Sequence, residues 1–254
     1  MVFAQSDLTQ DKFLGGLLTI LQPRKGYRAG IDPVLLAASV PAKSGQSVLE
    51  LGCGAGVASL CLGRRVAGLD LYGVEIQTGY GDLARRNGVQ NNIGIHVVDA
   101  SLNELPKDFR SEIFDHVIAN PPYFQRSKGT AAADAGRDTA LAGHTPLSIW
   151  IDVATRRLRP KGYLTLIQKA DRLGDVLVAM DDRLGSLIVQ PVAPRGGRSA
   201  ELVILQARKG GRGALRLAAP LVLHEGPRHE ADSESYTAEI RAILRDGAAF
   251  KISG

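Results

Sequence analysis

Apolar positions in the first half of the chain fall into four short runs, each closed by a polar side chain. The run at 47–51 carries Glu50, the run at 71–74 ends in Glu75, 95–98 ends in Asp99, and 114–119 ends in Asn120. Runs this short, rich in β-branched and aromatic residues, predict buried strands. Stretches at 57–65 and 77–87 lie between them and read as helices, the second interrupted by Gly79 and Gly81, which should weaken its first turns. The polar closures recur about every two dozen residues, the βα period of a doubly wound sheet. Further on, the pattern predicts a helix over 146–158, a strand at 163–167 and a helix over 171–182. Two strands follow at 184–190 and 201–206, suited to an antiparallel pair, then a short strand at 221–223 and a helix near 236–245. Upstream, 17–21 reads as strand or helix. Asp32 reads as the cap of a helix over 33–40 that has proline at its first position. The expected fold class is α/β: a doubly wound, mostly parallel sheet with a C-terminal antiparallel strand pair.

Composition changes this picture little. With 254 residues, 44% of them hydrophobic, the chain can bury a sizeable core as one large domain or one domain with extensions. No run of about 18 apolar residues is present, which argues against a membrane span. The polar, acidic start lacks the basic-then-apolar pattern of a secretory leader, so a cytoplasmic setting is expected. Two cysteines, Cys53 and Cys61, suggest neither a metal cluster nor a disulfide framework. The net charge of +5 is compatible with a polyanionic partner and is weak support for one.

The candidate chemistry sits at the strand ends. Pro121 and Pro122 cannot continue a ladder, so they hold Asn120 at the carboxyl end of its strand, where open α/β sheets bind ligands. The Asn120 amide offers an acceptor and donors, the Pro121 carbonyl is a second acceptor, and Tyr123 adds a flat aromatic face. That trio suits a planar amino group: adenine N6, guanine N2 or a carboxamide nitrogen. Gly52-Cys53-Gly54-Ala55-Gly56 follows the strand that carries Glu50 and precedes a helix, an arrangement that brings backbone N–H groups close to a nucleotide. Its spacing departs from the pyrophosphate-binding fingerprint. Glu75, at the end of the next strand, is placed to accept from both hydroxyls of a ribose. Asp99 is placed to accept an exocyclic adenine amine. The Gly/Ala/Thr-rich stretch 124–145 carries Arg126, Lys128 and Arg137 and reads as a substrate-binding lid. Arg195 and Arg198 stand in the linker of the antiparallel pair.

Together these residues resemble class I S-adenosylmethionine-dependent methyltransferases, with Glu50–Gly56 as the first motif and Asn120-Pro-Pro-Tyr123 as the amino-methyltransferase signature. More narrowly, the chain is similar to the bacterial family that methylates N6 of adenosine in valine tRNA. The matching features are Gly26-Tyr27-Arg28 with Asp32, Glu75-Ile76-Gln77, Ala84-Arg85-Arg86-Asn87, Asn120 to Phe124, Arg137 with Thr139 and Leu141, and Tyr236-Thr237. The resemblance implies a seven-stranded Rossmann-like sheet and S-adenosylmethionine held by Glu50, Gly52, Gly54, Gly56, Glu75, Ile76, Asp99, Ala100 and Asn120. It implies chemistry at Asn120, Pro121 and Tyr123, with no metal. Substrate contacts are expected at Tyr27, Arg28, Phe124, Arg126, Lys128, Arg137, Arg195 and Arg198. A core over 46–210 would carry an N-terminal extension (1–45) covering the cleft and a C-terminal one (211–254) packed on it. The partner would be a nucleic acid, tRNA foremost, and the protein a monomer or homodimer. Guanine N2, protein glutamine N5, a small-molecule acceptor and a non-catalytic RNA-binding role stand as alternatives.

Overall fold

The computed structural model describes residues 2–122, 145–226 and 235–252. The parallel core of its sheet comprises β3 (Ser47–Leu51), β4 (Asp70–Glu75), β5 (His96–Asp99), β6 (Phe114–Ala119) and β7 (Leu158–Lys169). β3 pairs in parallel with both β4 and β6, β4 with β5, and β6 with β7. The chain reverses strand order at β3, so the carboxyl ends of β3, β4 and β6 open a crevice there. β8 (Leu184–Arg195) and β9 (Leu202–Lys209) form the expected antiparallel pair, with β9 also antiparallel to β7.

Among the described residues the sheet has nine strands, not seven. Two short strands, β10 (Arg216–Leu217) and β11 (Leu221–His224), add in parallel to β8. β8 itself runs to Arg195, through Pro191 and Pro194, further than its pattern suggests. Prolines are tolerated where a strand needs few ladder donors.

The stretch at 17–21 lies in a strand, β2 (Leu18–Pro23), paired antiparallel with β1 (Leu8–Phe13). The alternation of β1 is masked by its polar outer residues, and only Leu8 is fully buried along it. Helix α1 (Asp32–Ser39) begins at Asp32 itself, so Asp32 is its first residue and not its cap. α2 (Val57–Arg65) follows the glycine loop, and α3 (Thr78–Gln90) follows β4. Gly79 and Gly81 do not break α3. A side chain at position 81 would collide with the Asp99 carboxylate, so the glycine lets the helix lie close on β5. α4 (Leu147–Arg157) and α5 (Leu173–Ala179) pack on one face of the sheet around Trp150, Ile151 and Val176. α1, α2 and the closing helix α6 (Ala238–Asp246) pack on the other. Thr237 caps α6, its hydroxyl accepting from the Ile240 N–H.

Asn87 ties the N-terminal hairpin to the core. Buried in α3, its Oδ1 accepts from Leu21 N at 2.7 Å while its Nδ2 donates to Leu21 O and to Ala55 O. One side chain thus joins hairpin, helix and glycine loop. None of the described helices is long and apolar enough to cross a membrane.

Candidate active site

A cavity opens at the carboxyl ends of β3, β4 and β6. Its walls include Glu50, Gly52, Gly54, Glu75, Ile76, Ala100, Asn120 and Pro122, together with Tyr27 from the segment after β2. Glu50 is fully buried. Its Oε2 accepts from the backbone N–H and the hydroxyl of Ser59 on α2, at 2.9 and 2.5 Å. Burial pushes the Glu50 carboxyl up to about 7, against the two Ser59 bonds that lower it. Glu75 ends β4. One of its oxygens accepts from Gly54 N and the other from Gln77 N, each at 2.9 Å, so the acid clasps the glycine loop to the start of α3. Burial raises its pKa as well, opposed by those backbone bonds.

The described lining contains these two acids and no lysine or arginine. Two carboxylates destabilised by burial gain most from a ligand that carries positive charge. Gly52 has φ +63°, and a Cβ there would stand 2.5 Å from the Trp150 ring. Gly56 has φ +81° and lies against Ala84, where a Cβ would come within 3.2 Å. Both glycines answer a backbone requirement and a packing requirement at once.

Asn120 is half-buried at the end of β6 and lines the cavity. Pro121 is buried, and its carbonyl accepts from Gln168 Nε2 at 3.3 Å. Gln168 lies fully buried on β7, and its own Oε1 accepts the Lys169 N–H. The Pro121 peptide is therefore braced from the neighbouring strand, with a second lone pair on its oxygen remaining.

Other expected site residues are placed differently. Asp99 ends β5, but its carboxylate pairs with Arg85 at 2.8 Å and does not line the cavity; its neighbour Ala100 does. Gly56 sits beneath the loop, off the lining. Arg28 turns to Asp11 at 2.6 Å and to the Pro23 carbonyl, fastening the segment that presents Tyr27. Arg195 is buried, its guanidinium donating to the carbonyls of Glu225 and Gly226 and to the Ser235 hydroxyl. It clamps the C-terminal segment and is not offered to a ligand. Arg198 is exposed in the β8–β9 turn, on the same sheet edge as Asn120. Tyr123, Phe124, Arg126, Lys128, Arg137 and the rest of the expected lid lie outside the described residues, apart from Thr145.

The pattern along the chain gave no sign of several wall residues. Gln22 is buried in β2, where it donates to Asp11 and accepts from Ala29 N. Tyr80 donates to the Tyr27 carbonyl at 3.0 Å. Trp150 reaches the cavity from α4. The rarity of tryptophan, present once in the chain, was the one available signal.

Comparison with known proteins agrees with this geometry. The family model described as methyltransferase small domain matches residues 29–187. A protein of Dickeya chrysanthemi named tRNA1(Val) (adenine(37)-N6)-methyltransferase is 26% identical over 89% of this chain and 90% of its own length. A Porphyromonas gingivalis protein of the same name is 35% identical over 59% of this chain and 58% of its own. Among solved structures, a predicted O-methyltransferase from Agrobacterium tumefaciens superimposes with a TM-score of 0.68 at 26% identity, covering 87% of this chain and 98% of that one. A Thermus thermophilus 16S rRNA N2 methyltransferase in complex with AdoMet and guanosine shares the fold, with a TM-score of 0.54 at 20% identity over 80% of this chain and 50% of that one.

Proposed function

Because the chain belongs to the methyltransferase small domain family, we propose that it methylates an exocyclic amine of RNA, N6 of an adenine in tRNA above all. It is a class I methyltransferase dependent on S-adenosylmethionine. When bound, this cofactor supplies a methyl group carried on a positively charged sulfonium. The one observation that carries the reading is the meeting of Asn120 with two buried acids in a cavity whose described lining holds no lysine or arginine. A site for a cation stands beside a site for two N–H bonds.

The residues divide the work accordingly. Glu75 keeps lone pairs beyond its two backbone bonds, and these accept from ribose hydroxyls. Glu50 favours the cationic end, and the backbone N–H groups of the Gly52–Gly56 loop at the start of α2 suit the cofactor's carboxylate. The Asn120 amide oxygen and the Pro121 carbonyl accept the two hydrogens of the acceptor amine. Holding both hydrogens in this way turns the nitrogen lone pair out of the base plane, and the same oxygens stabilise the positive charge that develops there. The protein needs to supply alignment more than a strong base, since the methylated amine is acidic enough to lose its proton afterwards. Gln168 keeps the Pro121 carbonyl aimed. Tyr123 and Phe124 stack on an extruded base. Tyr27 covers the cofactor side, while Arg126, Lys128, Arg137 and Arg198 meet RNA phosphates. Such a protein works where tRNA is modified, in the cytoplasm.

The names of the relatives favour adenine N6. Guanine N2, glutamine N5 or a small-molecule acceptor satisfies the same two acceptors. A transfer assay with labelled S-adenosylmethionine and unmodified bulk tRNA, followed by nucleoside analysis, separates them. Label in N6-methyladenosine supports the proposal. Label absent from RNA while the cofactor binds would redirect it to protein or small-molecule acceptors.

A further inference from the structure

The opposite edge of the sheet holds a second cavity, of about 660 Å³, at the amino ends of β3, β6 and β7. Strand β7 builds part of its rim by an excursion. Phe114 pairs with Leu158 and His116 with Tyr163, so residues 159–162 bulge outward, with Lys161 at φ +68°. Gly162 permits the bulge, since a Cβ there would meet the Asp115 carbonyl at 2.8 Å.

Two side chains of its lining, His116 and Arg65, each bury a nitrogen that has no partner among the described residues. Gln46 Oε1 accepts the Lys43 N–H at 2.8 Å, which settles which end of that amide faces His116. His116 Nε2, 3.0 Å from the same oxygen, therefore bears the ring proton, and Nδ1 presents a lone pair. His116 is only 2% exposed, yet Nδ1 has no hydrogen-bond partner among the described residues, and neither has Arg65 Nε. Buried polar atoms left in this way are rare in folded proteins and ask for an explanation. Burial also depresses the imidazole pKa to about 4, so Nδ1 is an acceptor at neutral pH. Around this acceptor–donor pair stand Lys43 and Lys161, neither with a carboxylate partner among the described residues. The one carboxylate in the described lining, Asp115, is already held by Arg159 and Ser47.

We propose that this cavity binds a phosphate group with a hydroxyl beside it, the chemistry of a ribonucleotide. Arg65 Nε–H and the two ammonium groups take phosphate oxygens, and the hydroxyl donates to His116 Nδ1. A neutral ligand leaves the lysines unused, and a carboxylate alone leaves Nδ1 without a donor. The ligand has two natural sources, a free sugar phosphate or the backbone of an RNA chain. The proposal is independent of which amine is methylated at the other edge.

The test uses the full chain with its cofactor cleft saturated by S-adenosylhomocysteine, comparing wild type with Lys43→Glu/Lys161→Glu by calorimetry. Both lysines are exposed, and unchanged S-adenosylhomocysteine affinity confirms that the variant is folded. Binding of ribose 5-phosphate, weakened at least tenfold in the variant, supports a free ligand. No binding of ribose 5-phosphate, with bulk tRNA bound at least tenfold more weakly by the variant and with a shallower salt dependence, supports the RNA backbone. His116→Phe should then erase the preference for ribose 5-phosphate or RNA over inorganic phosphate. If the double variant changes neither affinity, the proposal fails.

Discussion

The two edges of the sheet carry opposite electrostatics on one scaffold. At the carboxyl ends of β3, β4 and β6 the described lining has two buried carboxylates and no lysine or arginine. At the amino ends of β3, β6 and β7 it has Lys43, Arg65 and Lys161 beside an Asp115 already paired with Arg159. The two described linings share no residue, and the largely apolar, buried stretches of the strands between them keep the charges of the two edges apart. Shape does not distinguish the edges as binding sites; the sign of the charge they leave uncompensated does. The first edge suits a sulfonium and the second a phosphate.

The largest effect that tests this division is expected at Asn120. Asn120→Ala removes one of two acceptors for the reacting amine and should lower turnover by about a hundredfold or more, on the scale of losing one transition-state contact. S-adenosylmethionine affinity, read by calorimetry, should change by less than about threefold. Equal loss of both would mean that the substitution damaged the fold. Lys43→Glu should leave turnover on a free nucleoside acceptor unchanged, since it acts at the other edge.

Next in size is Gly52→Ala. It places a Cβ at φ +63° within 2.5 Å of the Trp150 ring. A cost of about 2–4 kcal/mol is expected from strain and overpacking together, visible as a lowered melting temperature. A melting temperature within a degree of wild type would show that α4 can shift away and that Trp150 does not fix the loop.

A third test separates the edges by the sign of their pH response. The raised Glu50 pKa means that the folded state holds a proton which the unfolded chain has released. Between about 4.5 and 7 this group makes stability fall as pH rises. His116 acts the other way. Its depressed pKa means that the unfolded chain takes up a proton first, so between about 6.5 and 4 stability falls as pH drops. In melting profiles of the cofactor-free protein, Glu50→Gln should remove a loss of stability on raising the pH from about 4.5 to 7, and His116→Phe a loss on lowering it from about 6.5 to 4. The same change of slope in both variants would break the contrast.

The smallest effect is spectroscopic. Trp150, the chain's single tryptophan, lines only the first of the two cavities. S-adenosylmethionine should alter its emission, whereas ribose 5-phosphate should not. A response to both ligands would mean that the edges are coupled through the sheet.

Much of the fold could be read before any coordinate. The alternation of apolar runs with polar closures located β3, β4, β5 and β6, because a buried parallel strand has to be apolar throughout and a ligand edge polar. That period also brought Glu50, Glu75 and Asn120 to one edge, where they line one cavity. The antiparallel pair at the far end of the sheet was legible for a related reason, two apolar runs separated by a glycine-rich turn. The strand β1 was not, since its outer residues are polar and its pairing with β2 is what makes it a strand.

What tertiary structure alone decided is where each polar side chain turns. Asp99 faces Arg85, Arg28 faces Asp11 and Arg195 clamps carbonyls 30 residues further along the chain. Gln168 braces Pro121 from the adjacent strand, and Gly81 is needed for a carboxylate on a neighbouring element. The second cavity exists only because a strand bulge, the end of α1 and the C-terminal segment meet. Periodicity reports which face of an element is buried, a local property repeated along the chain. The partner of a charged group is set by distances between elements far apart in sequence, and no local pattern encodes those.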